Sequence, residues 1–518
     1  MAGAQTPAQR GWEAVLLAAL GAAQTLACVH TGLWWLPPLA VAALVWRLQH
    51  ASARRAAGLG LVFGASWLLA AVWWLFISMH RYGGLPAWLA GLAVVLLALA
   101  LALYLALACA LWVRLRSGRP GLDALAFAAC WLLAEWARAF IFTGFPWAAS
   151  GYTQIDGPLA AWAPWVGVYG LGALMALAGA LLGVSCTQAS HPTWRAASLC
   201  VAAAAVFATP ALTGTVEFTR SAGLQTVTLL QTAVPQDEKF SGDRLPETLA
   251  WLADALAQAR GALVVAPETA VPLLPEQLAT LAPGWWEGVV QRFAGSAQVA
   301  LLGLPLGSFE TGYTNSAVGL FAATSARQPG PYRYDKVHLV PFGEFIPTGF
   351  RWFTNLMNIP LGDFSRGPLD APSLPAGGQR VAPNICYEDL FGEELAVRFG
   401  DPARAPTVLV NLSNIGWFGN TIALPQHLNI SRMRTLELQR PMLRSTNTGV
   451  TAIIDHQARV THRLEPFVRG ALEGAYEGRL GTTPFAWWAG RWGLWPLVGL
   501  ALVTLAWAAA WRRARAGL

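Results

Sequence analysis

The chain has 518 residues, of which 55% are hydrophobic and only 12% are charged. An ordinary soluble domain carries about 25% charged residues, so much of this sequence is expected to lie in lipid. The formal net charge of +7 does not indicate nucleic-acid binding, because the arginines cluster at the ends of apolar segments and form no basic stripe interleaved with aromatic residues.

Long apolar runs predict about eight membrane-spanning helices, each needing about 20 mainly apolar residues. The candidate segments are residues 12–28, 33–48, 57–79, 85–113, 122–143, 160–186, 196–214 and 485–511. The second is short and contains Pro37-Pro38, and the seventh is also short. We therefore predict seven transmembrane helices in residues 1–214, and a last one with a basic cytoplasmic tail in residues 481–518.

Arginines between these segments predict their orientation, since positive residues collect on the cytoplasmic side of a membrane. They fall at alternate junctions between successive spans: Arg10, then Arg47, Arg54 and Arg55, then Arg114, Arg116 and Arg119, then Arg195, and finally Arg512, Arg513 and Arg515. This pattern places both termini in the cytoplasm. It also places residues 215–480 outside.

The region of residues 215–480 is polar enough to fold as a soluble domain. Apolar runs such as Val227–Leu230, Leu263–Ala266, Val299–Leu304, Val408–Leu412 and Val450–Asp455 alternate with the helical stretches Glu247–Arg260 and His427–Gln439. Alternating strands and helices are typical of α/β domains. A region of about 260 residues can bury a full core.

Three residues at predicted strand ends could carry chemistry. Glu268 follows an apolar run and is either a base or a solvated loop residue. Lys336 is one of only two lysines, the other being Lys239, against 33 arginines; it is either a required compact ammonium or a chance retention. Cys386 lies at a strand-to-helix turn, where helix amides can lower a thiol pKa and bind an oxyanion, or it is a buried structural cysteine.

Together these residues supply what a nucleophilic cysteine needs, namely a base and a cation. The other five cysteines lie in or beside apolar segments and show no Cys-x-x-Cys spacing, so no disulfide framework is predicted. The eight histidines form no metal-binding motif, so neither a metal nor another cofactor is expected.

Pro267-Glu268, the Lys336 setting from Tyr334 to Glu344, and Cys386-Tyr387-Glu388 resemble the Glu-Lys-Cys set of the nitrilase superfamily. Further motifs lie in and beside the spans and in the polar region: Ser78–Gly83, Thr143–Trp147, Gly151–Gln154, Ser413-Asn414, Trp417–Gly419 and Arg444–Gly449. With them, nearly the whole chain resembles the apolipoprotein N-acyltransferase family.

The resemblance implies a nitrilase-like αββα sandwich on an eight-span base in a bacterial inner membrane, with the catalytic domain in the periplasm. It implies transfer of an acyl chain from a phospholipid, often phosphatidylethanolamine, to the amine of a diacylglyceryl-cysteine at an apolipoprotein N-terminus, through a thioester. Cys386 would be the nucleophile, Glu268 the base and Lys336 the oxyanion stabiliser. Supporting residues would be Glu344, Tyr387 and Glu388, and substrate-binding residues Arg138, Trp147, Phe240, Trp417 and Phe418.

Two departures from the family pattern concern loop contacts. Ile415-Gly416 stands where the family usually has an acidic residue, and Phe240 stands where it tends to have tryptophan. Two other functions stay open. A membrane-anchored amidase would release the acyl group to water, although one anchor would suffice for a soluble substrate. A transporter or binding protein would place ionisable residues mid-span, where Glu135 and Arg138 are the chief candidates.

The arginine pattern yields a testable topology. Reporter fusions at Leu518 and near Gly330 should report opposite sides of the membrane, because an odd number of predicted spans separates them. Activity of one compartment-specific reporter at both positions would contradict the orientation.

Overall fold

Apolar helices form most of the first part of the chain, and two β-sheets with accompanying helices form the second. The structure is a computed structural model that describes residues 7–186, 193–213, 216–322, 331–347, 349, 351 and 363–516. Its residues divide into two units, one drawn from Met1–Phe76, Ala87–Val216 and Trp492–Leu518, the other from Ile77–Pro86 and Glu217–Arg491. The predicted boundaries at residues 214/215 and 480/481 stay predictions.

Helices of the first unit are α1 (Pro7–Val29), α2 (Leu36–Leu48), α3 (Ala53–Val72), α4 (Ala87–Leu115), α5 (Pro120–Phe140), α6 (Ala163–Ser185), α7 (Thr193–Thr213) and a C-terminal helix (Trp495–Ala516). Among the described residues, six helices are long and apolar enough to cross a membrane, which confirms a multi-span membrane domain. The two remaining predicted spans are α2, with 13 residues, and α7, whose apolar part is Ala196–Ala208.

The start of the last predicted span, residue 485, is too early. Pro484–Trp492 forms a separate helix before the C-terminal helix. Between them, Gly493 has a φ of +55°, a left-handed conformation that ends a helix and that glycine adopts readily.

Small residues allow close helix contacts within the first unit. A Cβ added at Gly60 of α3 would lie 2.8 Å from the Cys109 sulfur of α4. One added at Gly64, one turn later, would lie 3.2 Å from the Ala102 Cβ. Such close approach is how helices gain van der Waals contact where lipid removes the hydrophobic driving force.

Two six-stranded sheets form the centre of the second unit. Their strands are β1 (Thr219–Gln231), β2 (Leu263–Val265), β3 (Val299–Ser308), β4 (Gly312–Leu320), β5 (Tyr332–Asp335), β6 (Leu374–Ala376), β7 (Gln379–Ile385), β8 (Val408–Ser413), β9 (Met442–Thr446), β10 (Ala452–Ile454), β11 (Val460–Arg463) and β12 (Gly470–Gly481). The sheet orders are β12-β1-β2-β3-β4-β5 and β11-β10-β9-β8-β7-β6. In each sheet three central strands run parallel, β1-β2-β3 and β7-β8-β9.

Buried residues define four layers. One core cluster joins both sheets, with Leu229 and Leu301 from the first and Val410 and Leu443 from the second. A second cluster joins the first sheet to α8 (Leu245–Gln258), α9 (Pro275–Leu281) and α10 (Trp285–Ala294). A third joins the other sheet to α11 (Gly392–Ala396), α12 (Ala423–Leu438) and α13 (Pro484–Trp492). The predicted αββα sandwich is confirmed.

Parallel strands place the predicted chemical residues at the carboxyl ends of β2 and β7. Glu268 comes three residues after β2, and Cys386 directly follows β7. The neighbouring strand β3 approaches the Glu268 turn closely at Gly303. A Cβ added there would lie 2.3 Å from the carbonyl oxygen of Pro267 and 2.8 Å from the Cα of Glu268.

Gly303→Ala should lower the stability of the protein, because the neighbouring atoms are backbone and overpacking costs typically about 1–3 kcal/mol. Gly288→Ala in α10 is the matched control, since nothing lies within 4 Å of its added Cβ. It should leave the melting temperature unchanged or raise it, because alanine favours a helix over glycine by about 1 kcal/mol. Thermal unfolding of the detergent-solubilised proteins checks both, and equal melting temperatures would contradict the close approach.

Candidate active site

The carboxylate of Glu268 is buried and held by donors from other strands and loops. Its Oε1 accepts from the Asn315 amide at 2.7 Å and from Lys336 Nζ at 3.4 Å. Its Oε2 accepts from the main-chain N–H of Asn414 at 2.7 Å. These donors fix the orientation of the carboxylate, which a general base needs.

Lys336 lies between two carboxylates. Its side chain is only 1% exposed, and its Nζ lies 2.9 Å from Glu344 Oε1 and 3.4 Å from Glu268 Oε1. Burial alone would lower the pKa of Lys336, but Glu344 and Glu268 raise it above its ordinary value. The ammonium is therefore a fixed positive charge at neutral pH.

Asn315 in β4 joins the two carboxylates. Its side-chain amide donates to Glu268 and, at 2.8 Å, to Glu344. Its main-chain carbonyl accepts from the main-chain N–H of Lys336 at 2.8 Å. Sequence reasoning missed Asn315. In the structure it lies with Thr314 and Ser316 in the buried part of β4, and a buried amide needs partners.

Cys386 occupies a strained position at the end of β7. Its φ of +53° lies in the left-handed region, which a non-glycine residue adopts at a cost of about 1–3 kcal/mol and which is common at active sites. Its carbonyl accepts from the Asn411 amide at 3.2 Å. This contact helps to hold the turn at Cys386 in place against that cost.

The Cys386 thiol is protonated at rest. Burial and the nearby Glu268 carboxylate raise its pKa to about 12, although Lys336 acts in the opposite direction. A thiol with this pKa needs a base at the moment of attack. The Glu268 carboxylate and the Lys336 ammonium are both close enough to influence the thiol electrostatically, so the three predicted residues are brought together.

Glu388 connects the turn at Cys386 to the segment after Lys336. One carboxylate oxygen accepts from the main-chain N–H groups of Val337 and His338, at 2.5 and 3.2 Å. The other accepts from the Ile385 N–H at 2.5 Å and the Tyr334 hydroxyl at 2.8 Å. Burial raises the pKa of Glu388. This carboxyl group links β5 to β7 across the two sheets.

Glu344 and Tyr387 occupy buried supporting positions. Besides Lys336, Glu344 accepts from the main-chain N–H of Val340 at 2.8 Å. The ring of Tyr387 packs against Phe391, with ring centres 5.4 Å apart, and lies 5.7 Å from His338. Their predicted roles, support of Lys336 and shaping of the pocket, stay predictions.

A buried cluster of polar side chains beside the turn at Cys386 was not predicted from the sequence. Asp389 accepts from Arg444 at 3.2 Å and from the Ser431 hydroxyl, and it lies 3.1 Å from His427 Nε2. The same Nε2 lies 3.4 Å from the Cys386 carbonyl, and Arg444 lies 3.0 Å from the other ring nitrogen. Since both partners of Nε2 are acceptors, Nε2 carries the proton. Sequence spacing could not reveal this cluster, because its members come from separate elements.

Three predicted substrate-binding residues lie in the second unit, Phe240 in a loop and Trp417 and Phe418 in a short 3-10 helix, Gly416–Phe418. Phe240 is 61% exposed. Trp417 and Phe418 are half-buried, and Trp417 meets the edge of Tyr82 with ring centres 5.6 Å apart. Ile415 is buried, so an apolar residue fits the place where the resemblance leads us to expect an acidic one. Substrate contacts of these residues stay predictions.

Arg138 and Trp147 lie in the first unit and are both buried. The Arg138 guanidinium donates to the carbonyls of Phe145 and Trp147, at 3.3 and 2.6 Å, and lies 3.5 Å from Glu135. A mainly apolar groove is lined by Trp67, Leu101, Leu105, Trp131, Glu135 and Arg138, among others. Among the residues that the structure describes, no group of three or more histidine, cysteine or acidic residues could hold a metal ion.

Arg444→Met should destabilise the second unit, because it leaves the buried Asp389 carboxylate without its guanidinium. Breaking a buried ion pair from one side costs about 3–5 kcal/mol. Arg459→Met removes a cation whose side chain is 70% exposed beside Asp455, and should cost less than about 1 kcal/mol. Denaturant unfolding of the two purified variants measures the difference, and equal losses would contradict a supporting role for the cluster.

Comparisons with known proteins cover both units. The family model described as "Apolipoprotein N-acyltransferase N-terminal domain" matches residues 20–181, and the model described as "Carbon-nitrogen hydrolase" matches residues 226–477. A protein from Verminephrobacter eiseniae named apolipoprotein N-acyltransferase is 52% identical over 92% of this chain and 92% of its own length. One of the same name from Ralstonia nicotianae is 45% identical over 97% of this chain and 94% of its own. The chain therefore belongs to the apolipoprotein N-acyltransferase family.

Proposed function

We propose that this protein transfers an acyl chain from a membrane phospholipid to the N-terminal amine of the diacylglyceryl-cysteine of an apolipoprotein. The observation that carries the proposal is the set of Glu268, Lys336 and Cys386 at strand ends of one sandwich, in a chain with six long apolar helices among its described residues. The names of the relatives agree with it. Lipid-soluble substrates also give a reason for many spans, which a soluble amide does not.

In the first half-reaction, Glu268 takes the proton of the Cys386 thiol as the sulfur attacks the ester carbonyl of the phospholipid. A C–S bond forms, and the carbonyl oxygen becomes an oxyanion that faces the Lys336 ammonium. When the oxyanion collapses, the ester C–O bond breaks. Glu268 returns the proton to the leaving oxygen, so a lysophospholipid departs and a thioester remains.

In the second half-reaction, the neutral amine of the apolipoprotein attacks the thioester. A C–N bond forms, the C–S bond breaks, and Glu268 moves the amine proton to the departing sulfur. Two bulky lipid substrates need never share the site, because each reacts with the same carbonyl in turn. A ping-pong order follows from this separation.

The finer assignments belong to the same proposal. We place the protein in a bacterial inner membrane with both termini in the cytoplasm and the sandwich in the periplasm, which the alternating arginines support. Phosphatidylethanolamine is the proposed donor. The apolar groove beside Trp67 and Arg138 has the apolar lining that one of its acyl chains requires.

A trapped acyl-enzyme tests the mechanism. Purified protein incubated with phosphatidylethanolamine alone should gain one acyl chain on the Cys386 peptide, because no amine is present to accept it. Mass spectrometry detects the adduct, and neutral hydroxylamine should remove it. Adding a diacylglyceryl-cysteine peptide should discharge the adduct onto the peptide amine.

Cys386→Ala supplies the control for this experiment and should lose both the adduct and the transfer. Cys200→Ala removes an exposed cysteine and should keep both. Transfer by the Cys386→Ala protein would overturn the assignment of the nucleophile. Discharge of the adduct to free fatty acid, with none on the peptide, would favour an amidase-like hydrolase instead.

A further inference from the structure

The second of the two lysines, Lys239, also lies at this site. It follows β1 in the loop before α8 and is only 6% exposed. Its Nζ donates to the main-chain carbonyl of Glu268 at 3.0 Å. The same loop makes a second contact with the site, because the Gln236 side chain accepts from the Asn414 side-chain amide at 2.8 Å. The main-chain N–H of that same Asn414 holds the Glu268 carboxylate.

The ammonium of Lys239 is poorly satisfied for a buried charge. Within the described part of the chain, the Glu268 carbonyl is its single hydrogen-bond acceptor, although an ammonium has three donors. The buried guanidinium of Arg440 is a useful comparison. Among the described residues it likewise has no carboxylate partner, but it donates to four main-chain carbonyls, those of Pro406, Leu438, Gln439 and Gly481. A buried cation with one neutral partner lowers stability, so a structural reason for Lys239 is weak.

Charge balance supplies a functional reason. In their ordinary ionised forms, Glu268 and Glu344 carry two negative charges and Lys336 carries one positive charge. The cluster therefore has a net negative charge, which opposes ionisation of the nearby thiol. One more ammonium beside Glu268 would make the set neutral.

We propose that Lys239 is a second cation of the active site, which stabilises the negative charge that develops on Cys386 and on the substrate oxyanion. Lys239 transfers no proton in this scheme; the thiol proton still goes to Glu268. The titratable groups that face its ammonium are Glu268, on the loop after β2, and Cys386, after β7. Burial lowers the pKa of Lys239 to about 8, while these two groups act against the shift. The ammonium is therefore mostly charged at neutral pH.

The inference rests on the proposed role of Cys386, and Lys239→Met tests it. Methionine keeps the length of the side chain and removes the charge. The Cys386 thiol should then ionise less readily, so its alkylation by iodoacetamide should need a higher pH, as followed by mass spectrometry of the Cys386 peptide. Formation of the acyl-enzyme should slow by on the order of 10²-fold, comparable to the loss of one oxyanion donor. The melting temperature should stay equal or rise.

Arg244→Met is the matched control, since it removes an exposed cation from the same loop and should leave the alkylation profile and the acylation rate unchanged. A lower melting temperature of Lys239→Met, with an unchanged alkylation profile and rate per folded enzyme, would assign Lys239 a structural role and overturn the inference. Failure of the proposed function is distinguishable, because transfer would then persist in Cys386→Ala. An inactive Cys386→Ala beside a fully active Lys239→Met refutes the role of Lys239 alone.

Discussion

The contact between the Lys336 ammonium and the Glu344 and Glu268 carboxylates, at 2.9 and 3.4 Å, is the constraint that organises the second unit. Buried charges are stable only when they are paired and hydrogen-bonded, so every strand that supplies one of them must hold its place. Asn315 meets this requirement from β4, since its amide donates to both carboxylates. The main-chain N–H of Asn414, just past β8, meets it from the second sheet.

Cys386, the proposed nucleophile, is held in place from the second sheet. Cys386 holds a left-handed conformation that the chain would not adopt without support. Glu388 gives part of that support. Its carboxylate accepts from the Ile385 N–H, just before Cys386, and from the N–H groups of Val337 and His338, just after Lys336. Asn411 and His427 add to it, since both lie within hydrogen-bond distance of the Cys386 carbonyl, and Asp389 holds His427. The face-to-face sandwich is therefore a condition for the proposed site, because Glu268 follows a strand of one sheet and Cys386 a strand of the other.

The sequence alone indicates those functional residues that can be recognised from the residue type and its immediate neighbours. Glu268 and Cys386 stand at the ends of predicted strands, and Lys336 stands out because lysine is rare in this chain. Asn315 and His427 could not be identified in this way, since their importance arises from partners far away in sequence. Lys239 could not be identified for the same reason. It is one of two lysines in the sequence, but it lies in none of the motifs named above. Hydropathy found the membrane helices but misplaced the start of the last, because a turn at Gly493 between two apolar helices leaves mean hydropathy almost unchanged.

In both units, several buried charged side chains lie beside a side chain of opposite charge. A buried charge without such a partner is therefore informative. In the first unit, Glu135 is met by Arg138 and by the Ser150 N–H and hydroxyl, and Glu13 is met by Arg47 and Arg55. In the second, Arg434 is met by Glu437. Lys239, with one main-chain carbonyl as its acceptor among the described residues, departs from this pairing, and the proposed role in the reaction accounts for the departure. The negative charge of an acyl-transfer site is transient: it appears on sulfur and oxygen as bonds change and disappears when product leaves. A cation with unused hydrogen-bond donors can then stabilise the transition state more than it stabilises the resting protein.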